Sequence, residues 1–440
     1  MHQRIFPATQ QTLNPIEVMT RTGHRAFTMV LAGVGLNVTL VSGNGCELMV
    51  RDWQGNLKKV FDAYCSFGAS GLGHGNTAVQ NALIPLLIPG SSMSQVIFKE
   101  STIGLLDALY RLGRTIFNRD YAINLGVSGS AMVEAALQLA CLHAYRKKPA
   151  IKEDPDQVLI GCVPRGFHGK STGALSVTIN KKIQRPGLPL LKNNILVLPE
   201  ETENLAEVIG KNAGRLAAII MEPIRAEGGV IPYAPGYIQE IAGLCEEFNI
   251  LLIMDEIQTG LGRTGKWFAT EHEEEVIPDM ILLSKCLSGD YVPSAAMLVK
   301  TSIWEKEYGD ADTYSSYLNT FWGNPFSSAV GLATLREIDE KNLVSHAEEM
   351  GETLTTCLSQ LNGNHPAVAV RSLGLLGGIE LPNEDTAMKF IKECFARDVL
   401  TVSTLGFSHV IRFQPPLSVS KDEIINCFSV FDEALKVVMK

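Results

Sequence analysis

Three things are scarce in this sequence, and each narrows what the protein can be. Nine cysteines occur, an odd number, and no two stand in a C-x-x-C pair. Disulfide frameworks and zinc ribbons need paired spacings, so a reducing compartment, the cytoplasm, is the expectation. No apolar run approaches the roughly 20 residues that span a bilayer, and no amino-terminal apolar stretch carries basic flanks, so neither membrane insertion nor a secretory leader is expected. Basic clusters are equally sparse: the longest is Arg146-Lys147-Lys148, read as the end of a helix. With a formal net charge of −9, nothing recommends nucleic acid or an anionic membrane as a partner.

What remains is an ordinary globular composition, 46% hydrophobic and 19% charged over 440 residues, enough for two domains or one large one. No internal repeat or low-complexity tract interrupts it. Its most informative stretch is Leu251 to Gly289. Ile250–Met254 is an apolar run ending at Asp255, Met280–Leu283 a second ending at Ser284 and Lys285, and Leu216–Met221 a third ending at Glu222. Runs of this length without polar interruption suit parallel strands covered on both faces. Tyr237–Asn249 repeats apolar residues at helical spacing through Ile238, Ile241, Leu244 and Phe248, giving strand, helix, strand. Ligands of such sheets bind beyond the carboxyl ends of the strands, where Glu222, Asp255 and Lys285 all fall.

An acid and a lysine meeting there suggest pyridoxal phosphate chemistry, in which a lysine carries the cofactor and a carboxylate keeps the pyridine nitrogen protonated. The competing reading makes Asp255 a loop cap and Lys285 a solvated surface residue. A second element supports the first: Tyr121–Val127 reads as a strand, Ser128-Gly129-Ser130 as a turn, and Ala131–Tyr145 as a helix with Met132, Ala135, Ala136, Leu139 and Leu142 on one side. Strand, small residues and helix form a phosphate cradle, with free N–H groups and the positive end of the helix dipole facing the anion. Ser128 or Ser130 as a plain N-cap is the alternative. Two near misses keep nucleotide hydrolysis in view: Gly169-Lys170-Ser171 lacks the upstream glycine, which is Pro164, and Gly260–Lys266 fits G-x-x-x-x-G-K but is followed by Trp267.

Elsewhere, residues 1 to about 40, with Pro7, Pro15, Gly23, Gly33 and Gly35, read as an irregular arm with one short helix. Thr39–Phe61 reads as a hairpin turning at Asp52–Asn56, and Phe67–Gly75 as a glycine-dense loop passing close to a ligand or another backbone. Leu105–Ile116 reads as a helix and Val158–Cys162 as a strand. From Asn324 onward helices alternate with short strands, of which Gly374–Leu381 and Val410–Phe413 form a smaller sheet.

The segments FHGKSTGALS (167–176), EPIRAEGGV (222–230), MDEIQTGLGRTGKWFA (254–269), PDMILLSKCLSG (278–289), NTFWGNP (319–325) and VIRFQPPL (410–417), in that order, resemble the class III (omega) aminotransferases. The resemblance spans roughly residues 40–435 and comes nearest to putrescine, ornithine and acetylornithine aminotransferases. It implies an α/β protein of PLP fold type I: a large domain with a mainly parallel sheet flanked by helices, plus a smaller α+β domain. The implied division is an N-terminal arm and part of the small domain over residues 1–75, the large cofactor domain over 76–323, and the C-terminal small domain over 324–440.

Residue by residue, the resemblance implies that Lys285 holds pyridoxal 5'-phosphate as a Schiff base and shuttles a proton. Asp255 would face the pyridine nitrogen, Gln258 the ring hydroxyl, Gly129 and Ser130 the phosphate, and Phe167 the ring face beside His168. Thr320 would reach the phosphate from the other subunit of a homodimer. Arg412 would grip a substrate carboxylate, and Glu227 would pair with it when none is present. The implied reaction moves an amino group from a terminal primary amine, a diamine or omega-amino acid, to a keto acid such as 2-oxoglutarate. Amination of a pathway-specific aldehyde, another PLP reaction such as racemisation, and a non-catalytic family member are the alternatives. The chain departs from the family pattern at Ala131, Arg225, Ala226, Asp290, Tyr291, Ser294 and Trp322. Those departures bear on the substrate; the cofactor residues are intact.

Overall fold

Apolar strands with no polar interruption can be buried only between two layers of helix, and the central sheet is built that way. The computed structural model describes residues 18–87, 97–180, 183–184 and 187–440. An amino-terminal meander comprises β1 (Val38–Asn44), β2 (Glu47–Asp52) and β3 (Leu57–Asp62). The central sheet comprises β4 (Tyr121–Gly126), β5 (Leu159–Cys162), β6 (Ile195–Val197), β7 (Leu216–Met221), β8 (Leu251–Asp255), β9 (Met280–Leu283) and β10 (Ala295–Lys300). Its order is β4-β10-β9-β8-β7-β5-β6. Strands β6, β5, β7, β8 and β9 pair in parallel, while β10 is antiparallel to both β9 and β4. Strand β4 therefore runs the same way as the other five, and six carboxyl ends share one edge. Residues of β7, β8 and β9 are buried throughout.

Helices cover both faces. Gly129–Lys147 buries Met132, Val133, Ala136, Leu139 and Ala140 on one side; Ala135 and Leu142, expected on the same stripe, are only half-buried. Tyr237–Phe248 buries Ile238, Ile241 and Leu244 against the other face, and Asn249 ends it in the left-handed conformation with φ +52°. The expected Leu105–Ile116 helix runs from Glu100 to Phe117.

A second sheet, β11 (Ala369–Leu373), β12 (Leu376–Glu380), β14 (Val402–Ser403) and β15 (Val410–Phe413), is antiparallel in the order β11-β12-β15-β14. The two segments read as a smaller sheet are thus adjacent strands, with Gly378 opposite Arg412. Helices Leu343–Asn364, Glu384–Ala396 and Lys421–Val438 back it. Strand β13 (Val399–Leu400) pairs in parallel with β3, which ties the meander to the carboxyl-terminal part of the chain.

Two readings need correction. The hairpin over Thr39–Phe61 is a three-stranded meander. Its turn at Asp52–Asn56 is as read, but a second reversal divides the first arm at Gly45, where φ is +56° and the backbone pairs with His74. The amino-terminal arm carries helix from Thr20 to Gly33, kinked at Gly23, so it is more regular than expected; Pro7 and Pro15 lie outside the described residues. The glycine-dense loop does approach another backbone: a Cβ on Gly75 would stand 2.7 Å from Gly43 O.

Candidate active site

The chain leaves β4, β5, β7, β8 and β9 at the shared edge, and the residues just beyond those ends enclose a cavity of ≈ 190 Å³. Its walls include Gly129 and Ser130 after β4, Phe167 and His168 after β5, Glu222 after β7, Asp255 at the end of β8 with Gln258 beyond it, and Lys285 after β9. Eight residues predicted from local pattern or resemblance, Glu222 among them, are therefore brought together across 157 positions of sequence.

At the far wall, the helix beginning at Gly129 has Ser128 as its N-cap, the side chain accepting from Ala131 N at 3.2 Å. The plain N-cap reading thus holds for Ser128, while Gly129 and Ser130 line the cavity at the positive end of a 19-residue helix. Gly169 could carry no side chain, because its Cβ would collide with Ser130 Oγ. The near-miss motif Gly260–Lys266 is engaged elsewhere: Arg263 is buried and donates to Leu375 O and Pro415 O, and Lys266 pairs with Glu348 at 2.9 Å.

Three carboxylates surround the lysine. Asp255 accepts from Ile257 N through Oδ1 at 3.1 Å, and its Oδ2 lies 2.8 Å from His168 Nδ1. The buried Nε2 of that imidazole has no partner, so the ring is oriented by Asp255. Glu222 takes the Phe167 N–H on one oxygen at 2.9 Å and the Ala226 N–H on the other at 3.3 Å. It therefore ties the loop carrying the aromatic ring to the loop carrying Glu227. Burial, reinforced by the charge on Asp255, lifts the Glu222 carboxyl to about 8.

Lys285 has φ +28°, a strained backbone for a side-chain-bearing residue, and its Nζ donates to Gln258 Oε1. Loss of hydration pushes its amine down to about 8, against the upward pull of Glu227, Glu222 and Asp255; Arg412 pushes it down as well. A lysine with that pKa is partly neutral near pH 8, which a nucleophile requires.

Beyond the lysine, Arg412 on β15 is fully buried and donates from Nη2 to Glu227 Oε2 at 2.6 Å. Burial alone would raise Glu227, yet Arg412 and Lys285 outweigh it and hold the carboxyl at about 2. The same Glu227 oxygen accepts from Leu405 N at 2.9 Å. Nε and Nη1 of Arg412 are buried without partners among the described residues, and the Phe67 ring lies 5.3 Å from the guanidinium. Phe67 belongs to a left-handed turn, with Cys65, Ser66, Phe67 and Gly68 at φ +56°, +47°, +57° and +92°. Left-handed backbone costs L-residues roughly 1–2 kcal/mol each. Asp62 Oδ1 offsets part of it by accepting from Tyr64 N and Cys65 N, at 3.0 and 2.9 Å.

Arg225, two residues before Glu227, does not pair with it. Its guanidinium stacks 4.6 Å from the Tyr233 ring and donates to Glu200 Oε1 and Pro232 O, each at 3.1 Å. Thr320 is exposed and stands outside the cavity of its own chain, next to the half-exposed Phe321. The His168–Asp255 contact, the double role of Glu222 and the turn under Phe67 were not read from sequence. Only the strand-end position of Glu222 signalled anything.

A buried acid, an imidazole and a lysine at adjacent parallel strand ends, facing a helix amino terminus, define a pyridoxal-phosphate enzyme of fold type I. The pattern of the family described as Aminotransferase class-III matches residues 33–435, and the chain belongs to that family of PLP-dependent transaminases. A Bacillus anthracis aminotransferase structure is similar, 26% identical over 91% of this chain and 93% of that one, with a TM-score of 0.81. So is the ornithine aminotransferase of Toxoplasma gondii, a structure with partial PLP occupancy at its active site: 25% identity, 98% and 99% coverage, TM-score 0.79. Acetylornithine aminotransferase from Elizabethkingia anophelis is 25% identical over 96% of this chain and 98% of that one, with a TM-score of 0.76. No described helix is long and apolar enough to cross a membrane, and all nine cysteines are free.

The state of Glu222 has a measurable consequence. Its folded pKa, about 8, lies above the ordinary 4.5, so its burial weighs least on stability below pH 4.5 and progressively more as pH rises towards 8. Urea titrations at a series of pH values should show wild-type stability falling across that window and Glu222→Gln falling less steeply. Equal slopes would mean that Glu222 is ionised in the folded protein.

Proposed function

We propose that the chain transfers an amino group from a terminal primary amine, a diamine or omega-amino acid, to a keto acid such as 2-oxoglutarate, as a homodimer. The observation that carries the substrate reading is the buried Glu227–Arg412 pair beside Lys285. When bound, pyridoxal phosphate supplies the electron sink that lets the substrate carbon give up a proton. The lining residues suit that group. Gly129 and Ser130 would hold its phosphate, Asp255 its pyridine nitrogen, Gln258 its ring hydroxyl and Phe167 its ring face, with His168 steadying Asp255. Lys285 Nζ anchors the cofactor and carries the proton to and from the substrate carbon.

Arg412 could not face a diamine chain as a lone buried cation without a large desolvation cost. Glu227 neutralises it at 2.6 Å, and the free Nε and Nη1 remain available to a carboxylate. One pocket therefore serves both substrates: Glu227 stays paired when the amine is bound and yields Arg412 to the keto acid. Ornithine and acetylornithine aminotransferases among the similar structures support an amine remote from the carboxylate end.

Single-turnover kinetics of each half-reaction tests this. Arg412→Ala should slow the keto-acid half roughly a hundredfold, about 3 kcal/mol, and the amine half much less. Glu227→Gln should shift preference towards alpha-amino acids such as glutamate. Equal slowing of both halves by Arg412→Ala would end the two-substrate account.

The exposure of Thr320 in its own chain supports the reading that it reaches the phosphate of the partner. Mixing Lys285→Ala with Thr320→Trp, each inactive alone, should regenerate activity in hybrid dimers that contain one native site. A monomeric variant as active as the parent would contradict it.

A further inference from the structure

Gln414 is a buried amide to which neither the resemblance nor the proposed chemistry gives a role. It follows Arg412 by two residues, at the end of β15, and its backbone is fixed on both sides: Gln414 N donates to Ala63 O at 2.8 Å, and Pro415 O accepts from Arg263 at 2.5 Å. Its side chain reaches back to the cavity wall, where Gln414 Oε1 accepts from Gln258 Nε2 at 3.0 Å. The other end of the Gln258 amide, Oε1, accepts from Lys285 Nζ. Gln414 Nε2 has no partner and lies against Gly68, where any Cβ would collide with it.

We infer that Gln414 is a positioning residue: by accepting the NH2 group of Gln258 it keeps the carbonyl end of that amide turned to Lys285. An amide has one donating and one accepting end, so the chain Lys285, Gln258, Gln414 has a single polarity while the lysine donates. Reversal of Gln258 alone would set its NH2 group against the lysine amine and its carbonyl against the Gln414 carbonyl, losing both hydrogen bonds. Only reversal of both amides together restores the link between them, and that turns the donor end of Gln258 towards the cavity. Gln414 thus holds the carbonyl of Gln258 towards Lys285, where it stabilises the protonated amine more than the neutral one. The charged groups facing that amine, Glu227, Arg412, Glu222 and Asp255, are shared by every variant considered below.

This inference rests on the assignment of Lys285 as the reactive amine, and its test separates the two. In cofactor-free full-length protein, the pH dependence of labelling at Lys285 by an amine-selective reagent, followed by peptide mass spectrometry, gives the apparent pKa of that amine. Gln414→Met removes the acceptor, frees Gln258 to turn away, and should lower the pKa by roughly one unit. Gln414→Glu keeps the acceptor, adds a negative charge, and should raise it. Gln414→Met added to Gln258→Met should shift it no further than Gln258→Met alone, because Gln414 acts only through Gln258. A filler of space would leave the pKa unmoved, or move it in the same direction for Met and Glu. Either result, or additive shifts in the double variant, overturns the inference while leaving the Lys285 assignment standing. A wild-type chain that takes up pyridoxal phosphate at some other lysine contradicts the assignment itself.

Discussion

A lysine amine enclosed by protein loses hydration that surrounding carboxylates replace only in part, and the site depends on that imbalance. At Lys285 the loss of water outweighs the pull of Glu227, Glu222 and Asp255, so the amine sits at about 8. The fold creates the imbalance by directing β7, β8 and β9, each buried throughout, to one edge of the sheet, where Glu222, Asp255 and Lys285 stand at or just beyond their ends. Each acid is spoken for in a different way. Asp255 is held against His168, Glu227 against Arg412, and Glu222 by two backbone N–H groups. The lysine itself donates to a neutral group, the Gln258 amide.

The second sheet matters because it brings a cation to the first. Arg412 lies on β15, opposite Gly378 of β12, and reaches the loop beyond β7 through Glu227. Breaking such a pair by removing one member leaves an uncompensated buried charge, which costs more than the pair contributes when intact. This is why a pair that gives little stability can still define the pocket. Phe67, presented by a left-handed turn, closes over the guanidinium, and Asp62 underpins that turn.

Local chemistry made much of this legible in the sequence. Strand-end positions placed Asp255, Lys285 and Glu222 together, and the small residues ahead of a strongly apolar helix placed Gly129 and Ser130. These follow from hydrophobic period and turn chemistry over a dozen residues. Resemblance added Phe167, Gln258, Glu227 and Arg412, whose roles no local pattern discloses. What stayed hidden depends on long-range closure: His168 meets Asp255 across 87 positions, and Gln414 meets Gln258 across 156. Arg225 shows the converse: it stands two residues from Glu227 in sequence, yet its side chain goes to Glu200 and Tyr233. The divided hairpin at Gly45 was legible but missed: Asn44-Gly45 is itself a turn signal, and the structure closes a two-residue loop there with Asn44 paired to Glu47.

The account stands on one lysine. Protein loaded with pyridoxal phosphate, reduced with borohydride and digested should yield a single pyridoxyl-modified peptide, with the modification on Lys285. A modification on any other lysine, or none, would contradict it.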